Sequence, residues 1–400
     1  MYLKRLSLTN FRTFSRLDID LPRRILLLVG DNAQGKTSLL EAVYYLATFT
    51  SFHAQSDRQL INFMLAEEHL RLARLVADFE RGERSHQLEV RLILENGKNG
   101  NSRFRKEILL DGIKRSMQEA IGIFNAVIFL PQMTRILEGG PEDRRKYLNV
   151  MFSQAIPGYA RALSDYSQTI TQRNALLKQL AERNGDKEQL TYWDDLLAKK
   201  GAILIFTRTK ALVELEQKAA RVHHVLTNSK EVLRIQYQPS FDPARVNDTQ
   251  YVLPLENLSD QHHFSLEEIE VKFKEKLQAL QNEEIARGIT TIGPHRDEIR
   301  FLGNGVDLGH YGSRGQIRSA LLSIKLAEVL WLKEKTNFWP VLLLDEIMAE
   351  FDTKRRAYLL KYLLECEQVL MTTTDLNLFT EEFLPSAVVF QINNGMIHID

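Results

Sequence analysis

One stretch, Ile25 to Leu40 (ILLLVGDNAQGKTSLL), constrains the fold of this chain more than any other. Ile25 to Val29 is a short apolar run that reads as a buried strand. Gly30 to Thr37, GDNAQGKT, fits G-x-x-x-x-G-K-[ST], and Ser38 to Ala47 reads as an amphipathic helix. A strand, a glycine-containing loop and a helix N-terminus in that order form a phosphate cradle. Gly30 and Gly35 let backbone N–H groups converge on anionic oxygens, with Asn32 and Ser38 as further contacts of the same loop. Lys36 is expected to neutralise the β- and γ-phosphates, and Thr37 to offer its hydroxyl to Mg²⁺. The fold class that follows is α/β.

The totals bound what surrounds this loop. Four hundred residues predict two or three domains, and 44% hydrophobic with 26% charged residues predicts a soluble globular protein. The formal net charge is zero, so no global field draws the chain to nucleic acid, and any DNA contact needs a local basic patch. The single cysteine, Cys366, excludes an internal disulfide framework and a CxxC zinc site, which favours a reducing cytoplasm. The start, MYLKRLSLTNFRTF, has no apolar signal region, and no apolar run reaches the roughly 18–20 residues of a membrane span. A cytoplasmic protein with no membrane partner is expected.

Around the loop, apolar residues alternate. Leu3, Leu6, Leu8 and then Leu17, Ile19, Leu21 suggest a hairpin, with Asn10-Phe11-Arg12 between its arms. Residues 50 to 61 look like a polar loop leading to a short amphipathic segment. His53 and Arg58 in it are candidates for polar contacts or plain surface residues. Residues 69 to 116 read as antiparallel strands. Arg103, Arg105 and Lys106 beside Phe104 make either a phosphate-backbone patch or a solubilising edge strand. Ala126 to Leu130 is another buried strand, ending at Pro131-Gln132. From about 142 to 226 the period is helical, with a break at Asn184-Gly185-Asp186-Lys187. Two helices of roughly 40 residues would each reach about 60 Å, an arm projecting from a body, the first kinked at Pro157. A strand from Val232 to Tyr237 and a helix near 265 to 286 follow. The expected division is 1–140, a helical arm at 141–288, and a return to α/β at 289–400.

The late motifs are short, and their order carries the meaning. Gln132 follows a strand, and Ser313-Arg314-Gly315-Gln316 precedes an amphipathic helix, Ile317 to Lys335. Pro340 to Glu346 is an apolar strand ending in two carboxylates, with Asp352 just beyond. Gln368 to Asp375 is a strand ending in hydroxyls. Together with the phosphate loop this is the part list of an ABC-type ATPase. Chemistry then assigns Asp345 to the Mg²⁺ shell and Glu346 to the general base that polarises water. Gln132 would position that water and the metal. Ser313, Gly315 and Gln316, at a helix start, suit a γ-phosphate. In ABC-type enzymes that phosphate belongs to the other subunit's ATP, so ATP is sandwiched in a homodimer. Thr373 or Thr374 stands where many ABC proteins carry His; a hydroxyl is the weaker charge stabiliser, and slow hydrolysis is expected. Both threonines are equally accounted for by β-propensity.

The chain resembles the RecF family of bacterial recombination mediators, relatives of the SMC-type ATPases. The residues that carry the resemblance are Asn10-Phe11-Arg12, GDNAQGKTSLLEAVYYLA, and Gly139-Gly140-Pro141 with Arg144-Arg145. They continue with Gly293-Pro294-His295-Arg296-Asp297, Ser313 to Arg318, LLLDEIMAEFD and VLMTTTD. The resemblance implies an ABC-type P-loop ATPase head (a mixed sheet with helices) formed by both chain ends, plus an α-helical arm domain. It implies ATP and Mg²⁺ as cofactors, with Arg12, Asp352 and Thr374 among the nucleotide contacts. It further implies ATP-dependent dimerisation on double-stranded DNA at ss/ds junctions, weak DNA-dependent ATPase activity, and a RecR partner that aids RecA loading at gaps. Four departures stand out: Ala33 where the loop usually has Gly, Asp345-Glu346 where many relatives have Asp-Asp, Arg314 where many have a small or polar residue, and Gln132 after Pro131 where an acid is frequent. The alternative is another SMC/ABC-like ATPase, or a paralogue acting as an ATP-gated DNA tether.

Overall fold

The computed structural model describes residues 1–65, 70–96, 102–183, 185–243, 264–393 and 396–399. With single-turn helices left unnumbered, the chain begins β1 (Tyr2–Phe11), β2 (Phe14–Asp20), β3 (Ile25–Val29), α1 (Lys36–Thr48), β4 (Leu70–Arg81) and β5 (Arg84–Asn96). It continues β6 (Ser102–Leu110), β7 (Ile113–Arg115), β8 (Ala126–Phe129), α2 (Pro141–Ala155), α3 (Tyr159–Arg183) and α4 (Gln189–Leu226). Then come β9 (Leu233–Gln238), α5 (Leu266–Arg287), β10 (Glu298–Gly303), β11 (Val306–Asp307) and α6 (Arg314–Thr336). The last elements are β12 (Val341–Asp345), α7 (Thr353–Leu363), β13 (Val369–Thr373), β14 (Ala387–Asn393) and β15 (Met396–Ile399). The elements gather into two units, Met1–Met133 with Glu328–Asp400, and Thr134–Ala327.

In the first unit β3 lies between β13 and β14, parallel to both, with Leu27 opposite Met371 and Val389. The full order is β15-β14-β3-β13-β12-β8, and only β15 runs antiparallel to its neighbour. The unbroken apolar runs ILLLV and VLLL are what a parallel sheet covered on both faces requires. The second sheet, β2-β1-β4-β5-β6-β7, is antiparallel throughout. Its strands alternate: Leu3, Leu6 and Leu8 are buried while Ser7 and Thr9 face away. The irregular step from Leu3 to Leu6 is a bulge against β4. Helix α1 packs against both sheets. Leu39, Leu40, Val43 and Leu46 share one core with Leu6 and Leu8 of one sheet and Leu26 and Leu28 of the other. Each such buried side chain contributes about 2 kcal/mol. This layer pins the start of α1 to the end of β3.

In the second unit α3 and α4 form an antiparallel hairpin, with α5 packed on both. The expected long first helix is instead two helices. Pro157 disfavours helical backbone at the residue before it, and Ile156 is extended at φ −108°, ψ 111°. Gly158 then turns the chain at φ +82°. The break leaves α3 with 25 residues and α4 with 38, about 37 and 57 Å at 1.5 Å per residue. The unit also runs past residue 288, to Ala327. The reason is β10, which pairs antiparallel with β9, Phe301 opposite Ile235.

Two buried ionic knots hold this unit. Arg173 of α3 is fully buried and bonds Asp194 of α4 at 2.7 Å, Glu284 of α5 at 2.6 Å and Thr290 at 2.8 Å. Arg208 of α4 bonds Asp297 at 3.0 Å and Asn149 at 3.0 Å, and Asp297 also accepts from Tyr237 and from the Ser240 N–H. The Gly293-to-Asp297 segment is therefore an internal fastening of this unit.

Candidate nucleotide-binding site

The phosphate loop is shaped by backbone that few residues tolerate. Gly35 sits at φ +105°, where a Cβ would lie 3.2 Å from the Phe14 ring and 3.3 Å from Thr13 Oγ1. Ala33 adopts φ +66°, a left-handed conformation that a residue with a Cβ reaches only at a cost and glycine reaches freely. The buried Lys36 ammonium donates to the carbonyls of Gly30 and Asp31, and pairs with Glu346 at 3.1 Å. Glu346, the first residue past β12, is itself left-handed at φ +49°.

Beside it, the Thr37 hydroxyl lies 3.0 and 2.9 Å from the two Asp345 oxygens. Thr372 sits opposite Asp345 in the β12–β13 register. Its hydroxyl donates to Asp345 at 2.7 Å and accepts the Glu346 N–H at 3.0 Å. Burial raises the Asp345 pKa above its ordinary value, opposed by the hydrogen bonds from Thr372 and Thr37. Lys36, Thr37, Asp345 and Glu346 line an open cleft of about 440 Å³, with Asn32, Gly35, Ser38, His53 and the exposed Gln132 also on its wall.

An adjoining cleft of about 400 Å³ is lined by Arg12, Thr13, Glu41, His53, Gln59 and Phe63 among others. Arg12 is held firmly at φ +53°. Its N–H donates to the Leu60 carbonyl at 2.8 Å, and its guanidinium grips both oxygens of the buried Glu41 at 2.7 and 2.8 Å.

The remaining candidates stand elsewhere. Asp352 is exposed and caps α7, accepting the Arg355 N–H at 2.9 Å. The Thr373 hydroxyl is committed to Asp375, donating to its carbonyl at 2.9 Å and accepting its N–H at 3.1 Å. Thr374 is exposed and lines neither cleft. Ser313, Gly315 and Gln316 belong to the second unit. There Ser313 and Gln316 cap α6 reciprocally, at 3.0 and 3.3 Å, and Gln316 reaches Glu231 at 3.3 Å.

Of the basic patch, Lys106 is tied to Asp57 at 2.8 Å and to the Phe49 carbonyl at 3.1 Å, and Arg105 pairs with Glu95 at 3.4 Å. Residues 97–101 of that stretch lie outside the described residues. Sequence reading passed over Thr13, Glu41 and Thr372. Only the β13 register singles out Thr372, and only the α1 packing turns Glu41 toward Arg12.

The profile of the RecF/RecN/SMC N-terminal domain matches residues 2–397. DNA replication and repair protein RecF of Chloroflexus aggregans is 36% identical, over 99% of each chain. The protein of that name from Halothermothrix orenii is 34% identical, over 99% of this chain and 98% of its own. The chain belongs to the RecF family. Among solved structures, the recombination mediator protein RecF-ATPrS of the RecFOR pathway superposes with a TM-score of 0.82 at 30% identity, over 100% of this chain and 98% of that one. The RecF-ATP structure gives 0.81 at 30% identity, over 100% and 97%. The fold is thus the RecF version of an SMC-type ABC ATPase head, and the family is one of DNA replication and repair. No helix among the described residues is long and apolar enough to cross a membrane.

Proposed function

We propose that this RecF-family chain is an ATP-gated recombination mediator of the cytoplasm. It binds ATP with Mg²⁺, closes into a homodimer around the nucleotide, and engages double-stranded DNA at the ss/ds junctions of gaps. There it works with a RecR partner to aid RecA loading, and it hydrolyses ATP slowly and in response to DNA. In the division expected from the sequence, 1–140 and 289–400 are the two parts of the ATPase head, and 141–288 is the arm. The observation that carries this reading is the placement of Lys36, Thr37, Asp345 and Glu346 around one cleft.

The donor set suits Mg²⁺. The Thr37 hydroxyl and the Asp345 carboxylate are hard oxygens that already meet, and the desolvated Asp345 gains from a cation. Bound there, the ion would neutralise phosphate charge. Lys36 binds the β- and γ-phosphates. In doing so it leaves Glu346, its present partner, free to polarise water, which Gln132 helps to position. The Arg12 clamp holds the adjoining wall for the rest of the nucleotide. Ser313 and Gly315, exposed at the start of α6, reach the γ-phosphate of a second copy's ATP, with Gln316 holding that turn. Asp352 and Thr374 are surface groups of the same unit as the loop and act at the paired face. With zero net charge, DNA attraction depends on a local surface that pairing assembles.

Sedimentation with and without ATP, together with duplex binding by anisotropy, tests this in the native chain, Lys36→Arg and Ser313→Arg. ATP is expected to convert only the native chain to dimer and to tighten only its DNA binding. Dimerisation unaffected by both substitutions overturns the sandwich, and DNA binding indifferent to ATP overturns the gating.

A further inference from the structure

We propose that His53 is a nucleotide-binding residue that donates a hydrogen bond to the terminal phosphate of ATP, an assignment that rests on the ATP reading above. Four residues line both clefts: Thr13, Thr37, Ser38 and His53. His53 thus stands where the phosphate cleft opens into its neighbour. Of the residues lining the phosphate cleft, only Lys36 and His53 can carry positive charge, against the carboxylates Asp345 and Glu346. Lys36 is shared among Gly30, Asp31 and Glu346. A triphosphate adds several negative charges to a wall already acidic, so a second donor within the same subunit, beside Lys36 and the cation, stabilises it further.

Strand β13 and the residue after it offer none. Thr372 is bound to Asp345, Thr373 is bound to Asp375, and Thr374 is outside the cleft.

His53 is positioned for the task. Its N–H and that of Ala54 donate to Ser51 Oγ at 2.9 and 2.7 Å. Ser51 in turn donates to Glu41, the carboxylate that clamps Arg12. The imidazole packs on Phe52 with centroids 4.6 Å apart, and Phe52 sits edge-on to Tyr44 at 5.6 Å. The backbone and one ring face are held, while the ring nitrogens have no hydrogen-bond partner among the described residues and the side chain is exposed. An anchored ring that makes no hydrogen bond among the described residues and lines the phosphate cleft, near enough to the Asp345 carboxylate to favour its charge, is a group placed for a ligand.

Titrations with fluorescent ATP and ADP analogues in Mg²⁺, on native protein, His53→Ala, His53→Gln and Lys36→Ala, decide the matter. His53→Ala should weaken ATP binding about tenfold, the value of one hydrogen bond to a charged group, and ADP binding by less than about twofold. His53→Gln, which restores an N–H donor, should recover most of the loss. An unchanged ATP-to-ADP preference in His53→Ala overturns the assignment while Lys36→Ala still abolishes binding. If Lys36→Ala binds ATP like the native chain, the nucleotide reading itself has failed.

Discussion

Asp345 illustrates how one residue is set against the stability of the protein that carries it. Its pKa is raised by burial, so the folded state holds the proton more tightly than the unfolded state. The stability this contributes is present below the unfolded pKa and is lost as pH rises through the raised folded value. At neutral pH the ionised carboxylate is a cost, repaid when a cation binds. Asp345→Asn is therefore expected to raise the melting temperature of the nucleotide-free protein at neutral pH while removing Mg²⁺-dependent ATP turnover. The gain should shrink on acidification, which thermal melts across pH would check. Ala33 is strained for a different reason, its φ of +66°. Ala33→Gly should stabilise the chain by about 1 kcal/mol, read from urea unfolding.

At the scale of elements, the segment Gly293 to Asp297 joins α3, α4, β9 and β10. Asp297 and Arg208 are both almost fully buried, so Asp297→Ala leaves an uncompensated guanidinium and should cost about 3–5 kcal/mol, measured by denaturant unfolding. His295 sits in the same knot. Its Nδ1 faces the Tyr166 hydroxyl at 2.9 Å and its Nε2 the Thr290 carbonyl at 3.4 Å, an arrangement that a neutral ring with an Nε2 proton satisfies. Burial depresses its pKa from the ordinary 6.5 to about 4. A depressed folded pKa contributes stability that is present above the unfolded value and lost as pH falls toward the folded one. The second unit should therefore weaken between about pH 6.5 and 4, and His295→Gln should flatten that dependence in circular-dichroism melts across the range. The helical period of residues 142 to 226 is legible in the sequence, and so is the break near Asn184, which falls between α3 and α4; the full break at Pro157, expected only as a kink, is not. A proline inside a periodic run either kinks or ends a helix, and here Gly158 in the following turn ended it.

At the scale of the molecule, the phosphate loop depends on the far end of the chain. Both neighbours of β3, namely β13 and β14, come from residues after Gln368. Truncation after Cys366 should abolish ATP binding and cooperative unfolding of the first unit, as nucleotide titration and melts would report. The buried pairing of Leu3 with Gln368, N–H to Oε1 at 2.7 Å and Gln368 Nε2 back to the Leu3 carbonyl at 2.8 Å, joins the two ends again.

What the sequence determined by itself was local or periodic: the loop chemistry of Gly30 to Thr37, the apolar strands ending at Asp345-Glu346, and the helical stretch. Residue type and spacing along the chain were enough for those. Tertiary structure alone decided which groups from distant segments meet. The strand register set Thr372 against Asp345, sheet packing turned Glu41 onto Arg12, and a hydroxyl anchor held His53 at the cleft. Three-dimensional pairing also gave the Gly293-to-Asp297 motif to the interior of the second unit. The physical reason is that periodicity tells which face a residue occupies, whereas partners across hundreds of residues are selected by packing and burial.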